Sequence, residues 1–400
     1  MFAKPRPAAD RLRVAHLITR LELGGAQGNT LHTVGHLDRD RFEPLLVCGA
    51  GGMLDCEAGE LGVEVEFVPQ LVREVDPPRD LAALLQLTRL WRRARPHVVH
   101  THSSKAGVLG RIAAHLAGVP VVVHTVHGFG FHPQQTPTAR ALFQTLERVV
   151  APLTTHFIVV STANREQGEA LGLFRDDNVS LVRSGIELKR FREARRDREG
   201  MARELGIPPE APLVGMVACL KPQKAPLDFV EVARRVALRI PAAHFLLVGD
   251  GELRAQVEAA RRAAGLETRL HLPGWRRDVE RLLKGFDLMV HTARWEGLPR
   301  VLPEALAAGC PVVATAVDGA ADLLRDGENG RLVAAGDVAG LAAAAVALLA
   351  DPDARKRLLR TAWSGEGFDI DQMVREQERL YLRLWRAAGG AGGETCLAGA

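Results

Sequence analysis

A chain of 400 residues with 47% hydrophobic and 25% charged residues is long and apolar enough for about two or three globular domains. Its formal charge of +4 is small for that length and its cations are mostly arginines spread along helices, which speaks against nucleic acid as a partner. Five scattered cysteines (Cys48, Cys56, Cys219, Cys310, Cys396) with no C-x-x-C pair disfavour a disulfide framework and a cysteine zinc site, and point to a reducing, cytoplasmic compartment.

In chain order, residues 1–10 carry Lys4 and Arg6 without an apolar run, and nowhere do eighteen apolar residues follow one another, so neither signal peptide nor membrane span is expected. The run Val14-Ala15-His16-Leu17-Ile18 predicts a first strand, followed by Leu23-Gly24-Gly25-Ala26-Gln27 and a helix. The double glycine lets the backbone approach a phosphate or an acceptor, and it equally suits a plain tight turn. Apolar runs at 44–48, 64–68, 98–102, 121–125 and 156–160, with helix-length segments between most of them, predict a parallel sheet covered on both faces. Ligands of such sheets sit at the carboxyl ends of the strands. Two of those ends are rich in histidine: His100-Thr101-His102-Ser103-Ser104-Lys105 and His124-Thr125-Val126-His127-Gly128. The His-x-His pair suits a satisfied histidine with a neighbour near a loop. A zinc site would need a further ligand, and no cysteine or acid stands at ligand spacing.

The basic run Arg89-Leu90-Trp91-Arg92-Arg93-Ala94-Arg95 fits a helix end whose arginines complement the dipole, in preference to a seat for anionic lipid. Val182-Arg183-Ser184-Gly185 closes a first domain, 1–187, and the charged, then Pro-rich stretch 189–209 is a connection. Strand runs at 213–220, 244–249, 270–272, 287–291 and 311–314 repeat the alternation and predict a second Rossmann-like domain, 188–365. Its strand-end turns include Val248-Gly249-Asp250-Gly251 and Gly274-Trp275-Arg276. Asp351-Pro352-Asp353 has the D-x-D form of a metal site, but Pro at a first helical position behind an Asp cap favours capping. Apolar Met373, Leu380, Tyr381 and Leu384 predict a final amphipathic helix, 366–387, before a disordered Gly/Ala-rich tail, 388–400.

The richest stretch is 295–315: Trp295-Glu296-Gly297-Leu298-Pro299-Arg300-Val301-Leu302-Pro303-Glu304, then Ala-Leu-Ala-Ala-Gly-Cys-Pro-Val-Val-Ala-Thr. It predicts a loop, a short helix ending at Gly309 and a buried strand. Glu296 precedes the helix and Glu304 lies about one turn inside it, with amides between them directed at an anion. A carboxylate accepts two hydrogen bonds from a vicinal diol and free amides hold a diphosphate, a combination that suits a nucleotide sugar.

This string resembles the signature of glycosyltransferase family 4, retaining enzymes of the α/β GT-B fold, in which two Rossmann-like domains face each other across a cleft and a C-terminal helix crosses back to the first domain. The subgroup it resembles builds bacterial capsule or exopolysaccharide repeat units. The resemblance implies a cytoplasmic hexosyltransferase without cofactor or metal, moving a sugar from a nucleotide diphosphate sugar to a glycan or polyprenyl-linked acceptor, with a peripheral contact at the inner membrane face as an option. It assigns catalysis to His127, Glu296 and Lys224. Lys224 would hold the diphosphate, Glu304 the ribose diol and Glu296 the sugar hydroxyls. Gly24, Gly25, Lys221, Gly249, Gly274, Trp275, Arg276, Gly297, Leu298, Pro299, Arg300 and Val301 would line the donor, and Ser103, Ser104, Lys105 and His127 the acceptor side.

Three positions depart from the family pattern. Ser184 replaces an Asn, Leu298-Pro299 replaces Phe-Gly, and Cys219 stands where an Arg is usual. In an extended segment Lys221 would point to the same side as Cys219 and replace that Arg. Rival readings are a GT-B nucleotide-sugar epimerase and a nucleotide-sugar-binding protein without turnover. A dinucleotide oxidoreductase is disfavoured because neither half has G-x-G-x-x-G.

Overall fold

The computed structural model describes residues 11–360 and 363–390. Residues 1–10, where the absence of a signal peptide was expected, and most of the expected tail with Cys396 lie outside the described residues. The chain divides into two compact units, one of residues up to Gly185 and from Ile370 on, the other Ile186–Asp369. The divisions differ from the expected 187/188 and 365/366 because Ile186 donates to the Phe368 carbonyl (2.8 Å) and bridges to Asp369, which keeps the incoming and outgoing chain together in the second unit.

The first unit is built on seven parallel strands: β1 (Leu12–Arg20), β2 (Phe42–Gly49), β3 (Glu64–Phe67), β4 (Val98–His102), β5 (Val121–Val126), β6 (His156–Val159) and β7 (Val179–Leu181). Their order is β3-β2-β1-β4-β5-β6-β7. Strand β7 was not expected, since three residues at a sheet edge carry little periodic signal. Between the strands run α1 (Gly25–His36), α2 (Asp55–Glu60), α3 (Pro77–Ala94), α4 (Ser104–Ala117), α5 (Pro137–Val150) and α6 (Thr162–Ala170). Local chemistry sets their starts. Asp76 accepts the Arg79 amide ahead of α3 and Thr136 the Ala139 amide ahead of α5, each followed by proline at the first helical position. Trp91 of α3 is buried in the core with Leu17, Leu45 and Leu87. It is therefore core, and the arginines around it are a solvated helix end.

The second unit opens with α7 (Leu188–Glu193) and α8 (Arg198–Leu205), then alternates β8 (Leu213–Val217), α9 (Pro226–Arg239), β9 (His244–Val248), α10 (Arg254–Ala263), β10 (Leu270–Gly274), α11 (Val279–Gly285), β11 (Leu288–His291), α12 (Val301–Ala308), β12 (Val312–Thr315) and β13 (Arg331–Val333). These strands are parallel, in the order β10-β9-β8-β11-β12-β13, and α13 (Val338–Ala350) and α14 (Pro352–Arg360) close the unit. Asp351 accepts the amides of Asp353 and Ala354, both at 2.9 Å, which is capping geometry for the D-x-D triplet.

The last helix, α15 (Ile370–Ala387), packs on the first sheet, burying Met373, Val374, Leu380 and Tyr381 against Val14, Val98 and Val123. Its start fits because Gly185 has no side chain: a Cβ there would sit 2.4 Å from the Ile370 Cα. Asn29 of α1 clamps the same turn, donating to the Gly185 carbonyl (3.0 Å) and accepting from the Gly185 amide (3.3 Å) and Ser184 Oγ (3.2 Å). Ser184 thus keeps a hydrogen bond where the family more often has Asn. Gly185→Ala should lower stability by about 1–3 kcal/mol, since backbone rather than a flexible side chain must yield. Urea unfolding should show a lower midpoint at unchanged slope. An unchanged midpoint would refute the close approach.

Candidate active site

In a parallel sheet the strand order reverses at one point, and the loops leaving the carboxyl ends there part to opposite sides and open a crevice. In the second unit that point lies between β8 and β11. The loop after β8 carries Lys221 and Lys224, and the loop after β11 carries Glu296. Thr292 Oγ1 donates to the carbonyls of Lys224 (2.8 Å) and Ala225 (3.0 Å), and the Arg294 amide to that of Gln223 (2.8 Å), so the two loops are tied together.

Glu296 is the centre of the arrangement, with 7% of its surface exposed. One carboxylate oxygen meets Lys224 Nζ and, at 3.2 Å, His291 Nε2, while the other accepts from Gln223 Nε2 at 3.4 Å. Burial pushes this carboxyl upward, but the Lys224 charge and the His291 hydrogen bond outweigh it and hold the group down at about 2. Its backbone amide donates to Asp318 Oδ2 (2.6 Å), and Asp318 adopts a left-handed φ of 34° to make that bond. A non-glycine residue in such a conformation costs about 1–3 kcal/mol and is held by its surroundings. Ala225, directly after Lys224, is similarly strained at φ 46°.

His291, Gln223 and Asp318 were not expected from sequence. His291 alone left a trace there, as the polar last residue of an apolar strand.

Glu304 lies inside the first turn of α12, with Arg300 Nη2 3.7 Å away, and burial raises its carboxyl. The helix start offers fewer free amides than expected. The Leu302 amide is taken by the Pro299 carbonyl (3.0 Å), Pro303 has none, and the Glu304 amide donates to Arg300 (3.2 Å). Gly297, Leu298 and Pro299 are buried, whereas Arg300 and Val301 are partly exposed.

Gly249 follows β9 at φ 125°, where a Cβ would lie 2.0 Å from the Ala218 carbonyl oxygen, so only glycine lets the two strand-end loops touch. Of the Gly274-Trp275-Arg276 turn, Trp275 exposes 37% of its surface. Arg276 is engaged with Asp278 (2.7 Å) and Glu204.

The Lys221 amide donates to the Cys219 carbonyl at 2.8 Å, closing a three-residue turn at Leu220, so the uninterrupted extended segment on which the placement of Lys221 beside Cys219 was expected is not present, although Lys221 itself is in extended backbone.

In the first unit the order reverses between β1 and β4. Gly24 precedes α1 in extended backbone and Gly25 is its first residue. Ser103 follows His102 at φ 62°, ψ 159°, a region mostly left to glycine, and its Oγ is held by Thr19 Oγ1 at 2.7 Å. Ser104 begins α4. Lys105 turns to Asp80 (2.5 Å) and to the Glu74 carbonyl, so two of its three donors tie α4 to α3 and to the loop before it.

The histidines converge. His16 pairs with His100 in the β1/β4 register, and its Nδ1 lies 3.1 Å from His102 Nε2; His102 Nδ1 in turn lies 3.1 Å from His127 Nε2. His100 is held by Thr125 Oγ1 and Tyr381 OH, both at 2.6 Å. Among the described residues, His16, His100 and His102 are a group whose nitrogens could gather round a metal ion, a third histidine that sequence spacing did not supply.

Two parallel-sheet Rossmann-like units, with an acid, a lysine and a histidine collected at the switch point of the second, define a GT-B glycosyltransferase. Residues 24–185 match the family described as glycosyl transferase 4-like domain, and 211–351 the family of glycosyl transferases group 1. Over 385 residues the chain is 31% identical to the UDP-Gal:alpha-D-GlcNAc-diphosphoundecaprenol alpha-1,3-galactosyltransferase of Escherichia coli, an alignment covering 94% of this chain and 98% of that one. The chain belongs to the family 4 group of glycosyltransferases. Its fold is similar to that of Anabaena HepE, solved with UDP-glucose (TM-score 0.79, 22% identity, 92% of this chain and 99% of that one). It is also similar to WaaG, a glycosyltransferase involved in lipopolysaccharide biosynthesis (TM-score 0.70, 18% identity, 94% and 98%). No helix among the described residues is long and apolar enough to cross a membrane.

Proposed function

We propose that this glycosyltransferase moves a sugar from a UDP-sugar, with retention and without a metal, to a sugar carried on a polyprenyl diphosphate, in the assembly of a bacterial surface polysaccharide. The observation that carries the reading is the Lys224–Glu296–His291 cluster at the switch point of the second unit. A leaving diphosphate builds negative charge, and a fixed cation stabilises it without reorganisation. Lys224 turns from Glu296 to that phosphate, which leaves a buried, ionised carboxylate to accept the sugar hydroxyls, with His291 keeping it in place. Glu304 accepts the ribose diol and Trp275 borders the base. His127 serves the acceptor side. Attack from the leaving-group face, rather than double displacement, is the route that the family 4 resemblance implies.

The UDP-sugar and the lipid-linked acceptor are taken from the E. coli relative's name, and UDP is also what HepE holds. A lipid-linked acceptor calls for a lipid-facing surface. On α5 the exposed Leu142, Leu146 and Val149 form a stripe flanked by exposed Arg140 and Arg148, which suits an anionic membrane.

The test is transfer from a panel of UDP-sugars to a short polyprenyl diphosphate sugar, in excess EDTA, with product anomeric configuration read by NMR. Transfer that persists with an α linkage is expected. Loss of activity restored by Mg²⁺ or Mn²⁺ overturns the metal-free mechanism, and an inverted product overturns retention.

A further inference from the structure

His127 is the end of a chain of imidazoles, His16 to His102 to His127, and the chain dictates where its protons stand. Each of the two contacts is a nitrogen pair at 3.1 Å, short enough for one shared hydrogen. A neutral imidazole has one N–H and one bare nitrogen, so fixing one ring fixes the next. Two arrangements satisfy both contacts. In one, every ring carries its hydrogen on Nδ1: His16 donates to His102 and His102 to His127. In the other, every ring carries it on Nε2 and the donations run backwards.

The far end decides between them. His16 Nε2 is fully buried and has no partner. The second arrangement would strand an N–H there, whereas the first leaves only a bare lone pair, and orphaned buried N–H groups are the rarer and costlier case. His16 and His102 are buried, at 0% and 3% exposure, and burial disfavours the charged imidazolium. His100 does not compete for these atoms. Tyr381 OH donates to Gln377 Oε1 (3.1 Å) and so accepts from His100 Nδ1, whose Nε2 is met by Thr125.

We propose that His16 and His102 are positioning residues that hold His127 as the Nδ1–H tautomer, so that its Nε2 is occupied by the His102 N–H and is excluded from acting as a base in transfer. The inference rests on the reading of His127 as an acceptor-side group. It is opposite to the Nε2–H form that an unrestrained histidine prefers in water, and therefore observable.

The experiment uses the full chain labelled with ¹⁵N-histidine. The two-bond proton–nitrogen spectrum, with His127 assigned by His127→Gln, reports its tautomer, and steady-state kinetics with a UDP-sugar report turnover and KM. Wild type should show Nδ1–H at His127. In His102→Leu the signal should revert to Nε2–H and turnover should fall about 10–100-fold with little change in the KM for donor, by analogy with the loss of orienting partners at other histidines. His102→Asn places an amide N–H where Nδ1–H was and should recover most of both. His16→Leu should show the His102→Leu pattern, one ring removed.

An Nε2–H signal in wild type overturns the proposal, as does a His102→Asn variant as impaired as His102→Leu. A shift of the His16 and His102 signals on adding stoichiometric Zn²⁺ overturns it in favour of a metal centre. Unimpaired transfer by His127→Gln sinks the underlying reading of His127 instead, whatever its tautomer.

Discussion

Glu296→Gln should lower turnover by about 10²–10³-fold while leaving UDP affinity nearly intact, the size expected when one preorganised charge is removed from a reacting centre. Lys224 loses its resting partner and the sugar loses its acceptor, but the nucleotide keeps Glu304. The opposite pattern is expected of Glu304→Ala. A buried diol left unpaired weakens nucleotide binding by about 1–3 kcal/mol, and turnover at saturating donor changes less. Calorimetry with UDP beside kcat measurements separates the two, and variants that swap these patterns would reverse the roles assigned to the two glutamates. The pair Lys224–Glu296 also contributes to stability in a pH-dependent way. The folded value of Glu296 lies at about 2, below that of an unfolded glutamate. Its contribution is therefore fully present above the unfolded value of about 4.3 and lost as pH falls from there towards the folded value. The stability difference between wild type and Glu296→Gln should shrink through that window in acid titrations of unfolding.

Glu147→Ala should be the most damaging substitution away from the active site. Arg111 of α4 has no exposed surface, and its guanidinium is held by Glu147 of α5 at 2.7 Å and by the Gly107 carbonyl at 2.8 Å. Removing the carboxylate leaves a buried charge uncompensated, at a cost of about 3–5 kcal/mol. The first unit should then melt roughly 6–20 °C lower. Replacing both partners, as Arg111→Met with Glu147→Leu, should recover most of that loss, because the dominant penalty is the unpaired charge rather than the missing attraction. A double variant as unstable as the single one would show that the ion pair itself, and not its half-removal, carries the effect.

Much of the architecture was legible in local chemistry. The alternation of apolar strands with helical segments, the Asp351 cap before Pro352, and Gly309 in a left-handed conformation at the end of α12 each depend on residues within one or two turns of each other. So did Glu296 and Glu304, which flank one helix start, and the string 295–315 that resembles family 4. The short edge strands β7 and β13 escaped because three residues hold too little of a period to read.

What only the tertiary structure decided are relations between segments far apart in sequence. His16 meets His102 across 86 residues because β1 pairs with β4 and not with β3, and that strand order is set by how the whole sheet buries its faces. Glu296 meets Lys224 across 72 residues for the same reason, at the point where β8 and β11 run side by side. The turn at Leu220 shows the converse. A rule of alternation is argued for an extended backbone, and one hydrogen bond from Lys221 to Cys219 puts a turn within the stretch it was applied to. Composition and periodicity determined that this chain makes two layered α/β units, and the string 295–315 carried the resemblance to a sugar-nucleotide enzyme; parallel pairing between distant strands determined which side chains those units bring within hydrogen-bonding reach, because that choice depends on burial summed over the sheet and on no single stretch of it.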